Sequence, residues 1–112
     1  MPPRLRTAFW VQVQVRRGDQ DHIPVVVTHK GDEQAGTVIV KHNRLGLGCH
    51  VYARTVTAEG TDAWLAVFGP ATVAEAEADA YLGRAIARDP DVWVLEVEDR
   101  DGRYELDAPV VG

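Results

Sequence analysis

Five short runs, "PVVVTHK", "TVIVKH", "CHVYARTVT", "DAWLAVF" and "DVWVLEVED", are rich in β-branched and aromatic residues and are parted by stretches containing glycine or proline. That composition and punctuation read as strands. Between the fourth and fifth lies "TVAEAEADAYLGRAIAR", whose alanines, leucine and isoleucine recur at helical spacing. A chain of several strands and a helix must bury one side of each element against another, which makes a layered α+β domain.

The first two runs are joined by "GDEQAG" and are expected to form a hairpin. Pairing His42 with Cys49 across "NRLGLG" then places Val38, Val40, Val51 and Ala53 on a core face continuous with Val25 and Val27. Lys41, His50, Tyr52 and Arg54 fall on the opposite face, beside Ile39, and form a polar, positive and partly aromatic surface. "AEGT" turns the chain into a fourth strand that stops at Gly69-Pro70.

Thr72-Val73-Ala74-Glu75 has the form of a capping box, which predicts a helix running from there to about Arg88. Its apolar stripe is Ala74, Ala78, Tyr81, Leu82, Ala85 and Ile86, with Glu75, Glu77, Arg84 and Arg88 turned to water. In the fifth run Trp93, Leu95 and Val97 alternate with Val92, Val94, Glu96 and Glu98. Asp101-Gly102 is a favoured hairpin turn and predicts that "RYEL" returns as a strand.

Residues 1–56 carry eight Lys/Arg and four Asp/Glu, whereas residues 57–112 carry four and thirteen, for a net charge of -5. A dedicated nucleic-acid binder is usually basic overall, so the split points to two halves that attract each other, or to a local basic surface. The single Cys49 cannot form an internal disulfide. With no signal-like or membrane-spanning apolar run, it suits a cytoplasmic protein. At 112 residues the chain is expected to be one domain spanning 1–112.

Residues 7–17, "TAFWVQVQVRR", alternate Phe9, Val11, Val13 and Val15 as a strand would. A wider comparison points elsewhere. "RLRTAFWV", then "KGD" with a glycine four residues after the aspartate and a "VIVK" strand, then "DPDVWVLEVEDRDGR", are similar to stretches of a family of short bacterial proteins of unknown function. The resemblance covers residues 4–109. Comparable members have helix-favouring residues where this chain has Val13, Gln14, Val15 and Gly18, and a glycine where it has His22. The resemblance therefore implies a helix over residues 7 to about 20, weakened here by β-branched valines and an internal glycine. It implies no activity, ligand or catalytic residue. The fold expected is a two-layer α+β sandwich with a mainly antiparallel sheet of four to six strands and both helices on one face.

Three sets of residues carry candidate chemistry. Pro90-Asp91 followed by Glu96-Val97-Glu98 resembles the PD-(D/E)xK nucleases, in which two acids and a lysine hold a metal and position water; the order helix, three strands, helix, strand is also theirs. The spacing departs from that pattern. Pro90-Asp91 lies too near the second acid, Glu98 stands where lysine is needed, and the alternative placement on Asp32 and "VIVK" has Ile39 where the acid belongs. Alternation accounts for Glu96 and Glu98 as solvent-facing positions near Arg4, Arg6 or Arg54, while Trp93, Leu95 and Val97 face the helices. Two carboxylates at i and i+2 have roots about 7 Å apart and no further oxygen ligands in view, so no metal site is expected from them. His42, Cys49 and His50 lack CxxC or HxxxH spacing, and Cys49 has no adjacent acid and base to activate it.

The expectation is a small non-enzymatic domain, without a cofactor, that binds a macromolecule through Lys41, His50, Tyr52 and Arg54 on an uncovered sheet face. The partner expected is a protein or a second copy of the chain, with nucleic acid disfavoured and no membrane. The alternative is a metal-dependent hydrolase with a degenerate nuclease-like core.

Overall fold

In a computed structural model, which describes residues 6–112, the chain forms α1 (Thr7–Asp21), β1 (Val25–His29), β2 (Val38–Asn43), a 3-10 turn (Leu45–Leu47), β3 (Cys49–Val56), β4 (Asp62–Ala66), α2 (Glu75–Arg88), β5 (Trp93–Glu98) and β6 (Val110–Val111). The α+β class holds, with two helices and one six-stranded sheet of order β1-β5-β2-β3-β4-β6. The sheet is mixed rather than mainly antiparallel, because β2 runs parallel to β5 and β6 parallel to β4.

The expected hairpin of β1 and β2 is absent. β5 lies between them, antiparallel to β1 and parallel to β2. The reason is visible in β5 itself: Val92, Trp93, Val94, Leu95 and Val97 are all buried, so this segment is apolar on both faces and belongs in the middle of a covered sheet. β1 has Val26 and Val27 exposed and tolerates an edge.

The same fact places the helices on opposite faces, not on one. Trp10 and Val11 of α1 pack with Val25, Val38, Val40, Trp64, Trp93, Leu95 and Val97. Ala78, Leu82 and Ala85 of α2 pack with Ile39, Cys49, Val51, Val92 and Val94. The domain therefore has three layers.

α1 is a helix, as the family resemblance implied and local alternation did not. Trp10, Val11, Gln14 and Gly18 are buried and Val15 is partly so, which is helical spacing, while Phe9 and Val13 face out. Its end is a Schellman turn: Ile23 N–H donates to Gly18 O at 2.8 Å, His22 N–H to Asp19 O at 3.4 Å, and His22 is left-handed at φ 57°. Gly18 is there because a Cβ would lie 2.4 Å from Ile23 O and 2.6 Å from Val25 Cγ2. Glycine at position 22 removes the left-handed penalty, so His22→Gly should stabilise the protein by roughly 1 kcal/mol. Urea denaturation measures this, and a lower midpoint for the variant would contradict the reading.

α2 begins at Glu75, three residues after Thr72, with Ala74 as an N-cap that makes no side-chain bond. The capping box does not form. Val73 instead bridges to Cys49 through two backbone bonds of 2.8 and 2.9 Å, and Glu75 turns to the sheet. "RYEL" is not a strand either: residues 103–109 run irregularly, with Tyr104, Leu106 and Ala108 packed on the α1-side core.

Candidate functional site

The register between β2 and β3 decides what each candidate residue faces. His42 lies opposite His50 and Asn43 opposite Cys49, one residue away from the expected pairing. A one-residue shift moves a whole side-chain set to the other face. Val51 and Ala53 thus share the α2 face with Ile39 and Lys41, while His50, Tyr52 and Arg54 share the α1 face with Val38, Val40 and His42. The four candidates do not form one surface.

Lys41 is buried beneath the start of α2. Its Nζ lies 2.8 Å from Glu75 Oε2, 2.7 Å from Asp79 Oδ1 and 3.2 Å from Glu96 Oε1. Asn43 Nδ2–H also donates to Glu75 and Glu96. Burial alone lowers the lysine's pKa, but bonds to Asp79, Glu75 and Glu96 outweigh it and hold the ammonium above its ordinary value. Lys41 ties α2 to the sheet.

Glu96 is thus not turned away from the helices, and its cation is Lys41 rather than Arg6 or Arg54; Arg4 lies outside the described residues. Glu98 is exposed. Asp99, the third acid of that stretch, is buried on the other face.

Arg54 lies over the rings of Trp10 and Trp64, at 5.4 and 5.9 Å from their centroids, with Asp62 at 3.2 Å. Both indole N–H groups donate to Asp107, at 2.8 and 3.0 Å. Arg54 therefore belongs to a structural cluster that pins the C-terminal segment.

His50 and Tyr52 remain, stacked at 5.9 Å, and they line a groove of about 480 Å³ together with His42, Arg44, Tyr104 and Glu105. His42 Nε2–H donates to Asp99 Oδ2 at 2.9 Å, and the same oxygen accepts Tyr104 N–H at 2.7 Å. Burial pushes the Asp99 carboxyl up, but these bonds more than offset it and leave its pKa below the usual value. His50 sits with its ring 6.0 Å from that of His42. Burial, then the neighbouring His42 and Arg44, lower its pKa and keep it neutral at physiological pH. Its Nδ1 is buried and has no hydrogen-bond partner among the described residues. Tyr52 is pushed up by burial, with Arg44 opposing, so its hydroxyl stays protonated.

His42, Asp99, Arg44 and Tyr104 were not singled out as one site from the sequence. They meet only through strand pairing and the turn at Gly102, which leave no local signal. Cys49 is fully buried on the α2 face, away from the His42 and His50 rings, and burial raises its thiol pKa. His29 Nδ1–H donates to Val92 O, and Asp32 Oδ2 accepts the N–H groups of Gln34 and Ala35.

Among the described residues no helix is long and apolar enough to cross a membrane. No curated protein matches the chain. Solved structures do. The crystal structure of a DUF1491 family protein from Caulobacter crescentus CB15 is 36% identical with a TM-score of 0.85, over 96% of this chain and 100% of that one. An NMR structure of a DUF1491 family protein from the same organism gives 35%, 0.82, 99% and 100%. A solution structure of a protein from A. tumefaciens, at 24% identity and TM-score 0.70 over 93% of this chain and 90% of that one, shares the fold. The profile described as "Protein of unknown function (DUF1491)" matches residues 5–107, over nearly the whole of the stretches that suggested kinship with short proteins of unknown function, and the chain belongs to that family.

Proposed function

We propose that the protein is a small non-enzymatic binding domain that holds a partner protein through the groove formed by His50, Tyr52 and Arg44. The observation that supports this reading is a solvent-open groove lined by His50, Tyr52 and Arg44, in which His50 also carries a buried ring nitrogen, Nδ1, that has no partner among the described residues. A buried polar atom left unsatisfied costs about 1–3 kcal/mol, and a docked group that satisfies it recovers that cost. Leu45 and Leu47, exposed on the turn that follows Arg44, add apolar rim of a kind that suits a protein surface. The chain's net charge of -5 disfavours a nucleic acid.

A metal-dependent hydrolase draws less support. Asp32 is engaged with its own loop, Glu96 is bonded to Lys41, and Ile39 is buried where the second acid would have to stand.

The test is affinity capture on the immobilised chain, compared quantitatively with a folded His50→Ala/Tyr52→Ala variant, followed by NMR shift mapping with each purified partner. The expected result is a protein held by the original chain and lost by the variant, with shifts centred on residues 42–52 and 102–106. Undiminished capture by the variant, or shifts centred on α2, contradicts the proposal.

A further inference from the structure

Among the groups that line the groove, Arg44, His50 and Tyr52 each have a hydrogen-bond donor, or a nitrogen able to act as one, without a protein partner among the described residues, and Glu105 is an acceptor at its exposed rim. Arg44 uses Nε–H on Arg100 O at 2.9 Å, which anchors the guanidinium and leaves its terminal N–H groups. Among the described residues no carboxylate lies within ion-pair distance of it. The chain direction at Arg44 is fixed by the next residue: Leu45 is left-handed at φ 56°, and its N–H is taken by Asn43 Oδ1 at 2.7 Å. A non-glycine residue in that region costs about 1 kcal/mol, and such strain gathers where a side chain must be aimed.

Arg44, His50 and Tyr52 line the same groove, with the His50 and Tyr52 rings stacked at 5.9 Å. His50, being neutral, can carry its proton on the unpartnered Nδ1 and donate it. Tyr52, being protonated, donates through its hydroxyl, for which no protein hydrogen bond is found among the described residues. Behind them His42 is already held by Asp99, so its ring is fixed and backs the floor. Among the described residues Glu105 is the one acidic side chain lining the groove, and it is exposed.

We infer that the groove is an oxyanion site whose ligand is a phosphate monoester, held by the Arg44 guanidinium, His50 Nδ1–H and the Tyr52 hydroxyl. This deepens the proposed function and rests on it. One guanidinium charge with two neutral donors suits a tetrahedral dianion, which carries more charge than a carboxylate and presents three free oxygens in three directions rather than two in one plane. A groove of about 480 Å³ has room beyond the phosphoryl group for part of the molecule that bears it. In a protein partner that molecule is a phosphorylated side chain, and free phosphate shares the same chemistry.

The experiment is an NMR titration of the intact chain, with the His50 ring nitrogens followed directly. The probes are inorganic phosphate, a phosphoserine peptide, the same peptide unphosphorylated, and acetate. Expected are saturable shifts of His50 Nδ1 with the two phosphate-bearing probes and none with the other two. Tighter binding of the peptide identifies a phosphorylated side chain, and equal binding identifies free phosphate as the source. Arg44→Gln should weaken binding by about tenfold or more, as loss of a charge-assisted bond does, and Tyr52→Phe by a few-fold. Arg54→Gln, on the same face but over Trp10 and Trp64, should leave it unchanged. A His50 signal unmoved by millimolar phosphate overturns the inference on the original chain alone, whatever the variants do, and so does acetate binding as well as phosphate. If phosphate fails while groove variants still lose their partner, only this inference falls. If phosphate binds while partner capture ignores the groove, the binding-domain reading falls and the oxyanion site stands.

Discussion

Lys41→Met should destabilise the protein by about 3 kcal/mol, the largest effect expected of any conservative change in volume. The Lys41 side chain is 4% exposed, against 56% for each of Glu75 and Asp79 and 20% for Glu96. Methionine fills similar space but leaves three carboxylates converging on no cation, with only the Asn43 amide donating to two of them. Glu75 and Asp79 can turn to water, which keeps the cost toward the low end for a broken buried pair; Glu96, held in β5 under α2, cannot. Out of a total stability of 5–15 kcal/mol this is a large share, and thermal unfolding should move down by roughly 10 °C or more. Glu75→Gln, which leaves Lys41 with two carboxylates, should cost under about 1 kcal/mol because its partner site is half wet. A Lys41→Met variant as stable as the original chain would show that the contacts carry no net stabilisation.

The pH dependence has a definite sign. Lys41 has a folded pKa raised above the ordinary 10.5, so its contribution is fully present below about that pH and is lost as pH rises through the raised value. Tyr104, raised to about 12 by burial, is neutral in the folded state and loses its contribution over the same alkaline window. The original chain should therefore lose stability above pH 10.5 more steeply than Lys41→Met, in which only Tyr104 remains of the two. Parallel alkaline profiles for the two proteins would remove Lys41 from that role.

The elements were legible in the sequence, and their partners were not. β-branched runs and the alanine-rich stripe marked β1 to β5 and α2 because those signals are local. α1 was locally misleading: of the alternating Phe9, Val11, Val13 and Val15, the structure turns only Val11 and Val15 inward, and they are four residues apart. The clue to three layers lay in "DVWVLEV", where valines fill the second face as well as the first. A strand apolar on both sides needs cover on both. Reading its Glu96 and Glu98 as a wet face concealed this, since Glu96 is covered by α2 and neutralised by Lys41 from the parallel β2. The candidate surface failed by one residue of register. The turn at Leu45 and Gly48 absorbs one residue differently from a simple loop, and that residue decides whether Lys41 accompanies His50 or opposes it. The two candidates that stay together, His50 and Tyr52, are on one strand and keep their parity whatever the pairing.

Gly31→Ala should cost roughly 2–4 kcal/mol, through backbone that cannot yield. A Cβ at Gly31 would lie 2.1 Å from Asp91 O and 2.7 Å from the carbonyl carbons of Asp91 and Val92, all main-chain atoms. Gly36 meets the same oxygen, at 2.4 Å. Between them Asp32 N–H donates to Asp91 O at 2.9 Å, and Trp93 Nε1–H donates to Asp32 O at 2.7 Å. From the start of α1, Thr7 Oγ1–H donates to Gly36 O at 2.9 Å and Ala8 N–H to Glu33 O at 2.9 Å. The three stretches that carry the family resemblance, around Thr7, around "KGD" and around "DPDVW", therefore meet in one place. They hold the loop after β1 against the start of β5 and so set the insertion of β5 between β1 and β2. This gives the motifs a structural purpose without any chemistry. An added methyl must push the loop off Asp91, losing both bonds and the seat of the Trp93 indole. Gly83→Ala is the matched control: exposed in α2 with nothing within 4 Å of its Cβ, it should stabilise by about 1 kcal/mol. Chemical denaturation of both, with the Trp93 indole N–H followed by NMR, separates the two cases. A Gly31→Ala protein of unchanged midpoint with its indole signal in place would mean that the loop does not position β5.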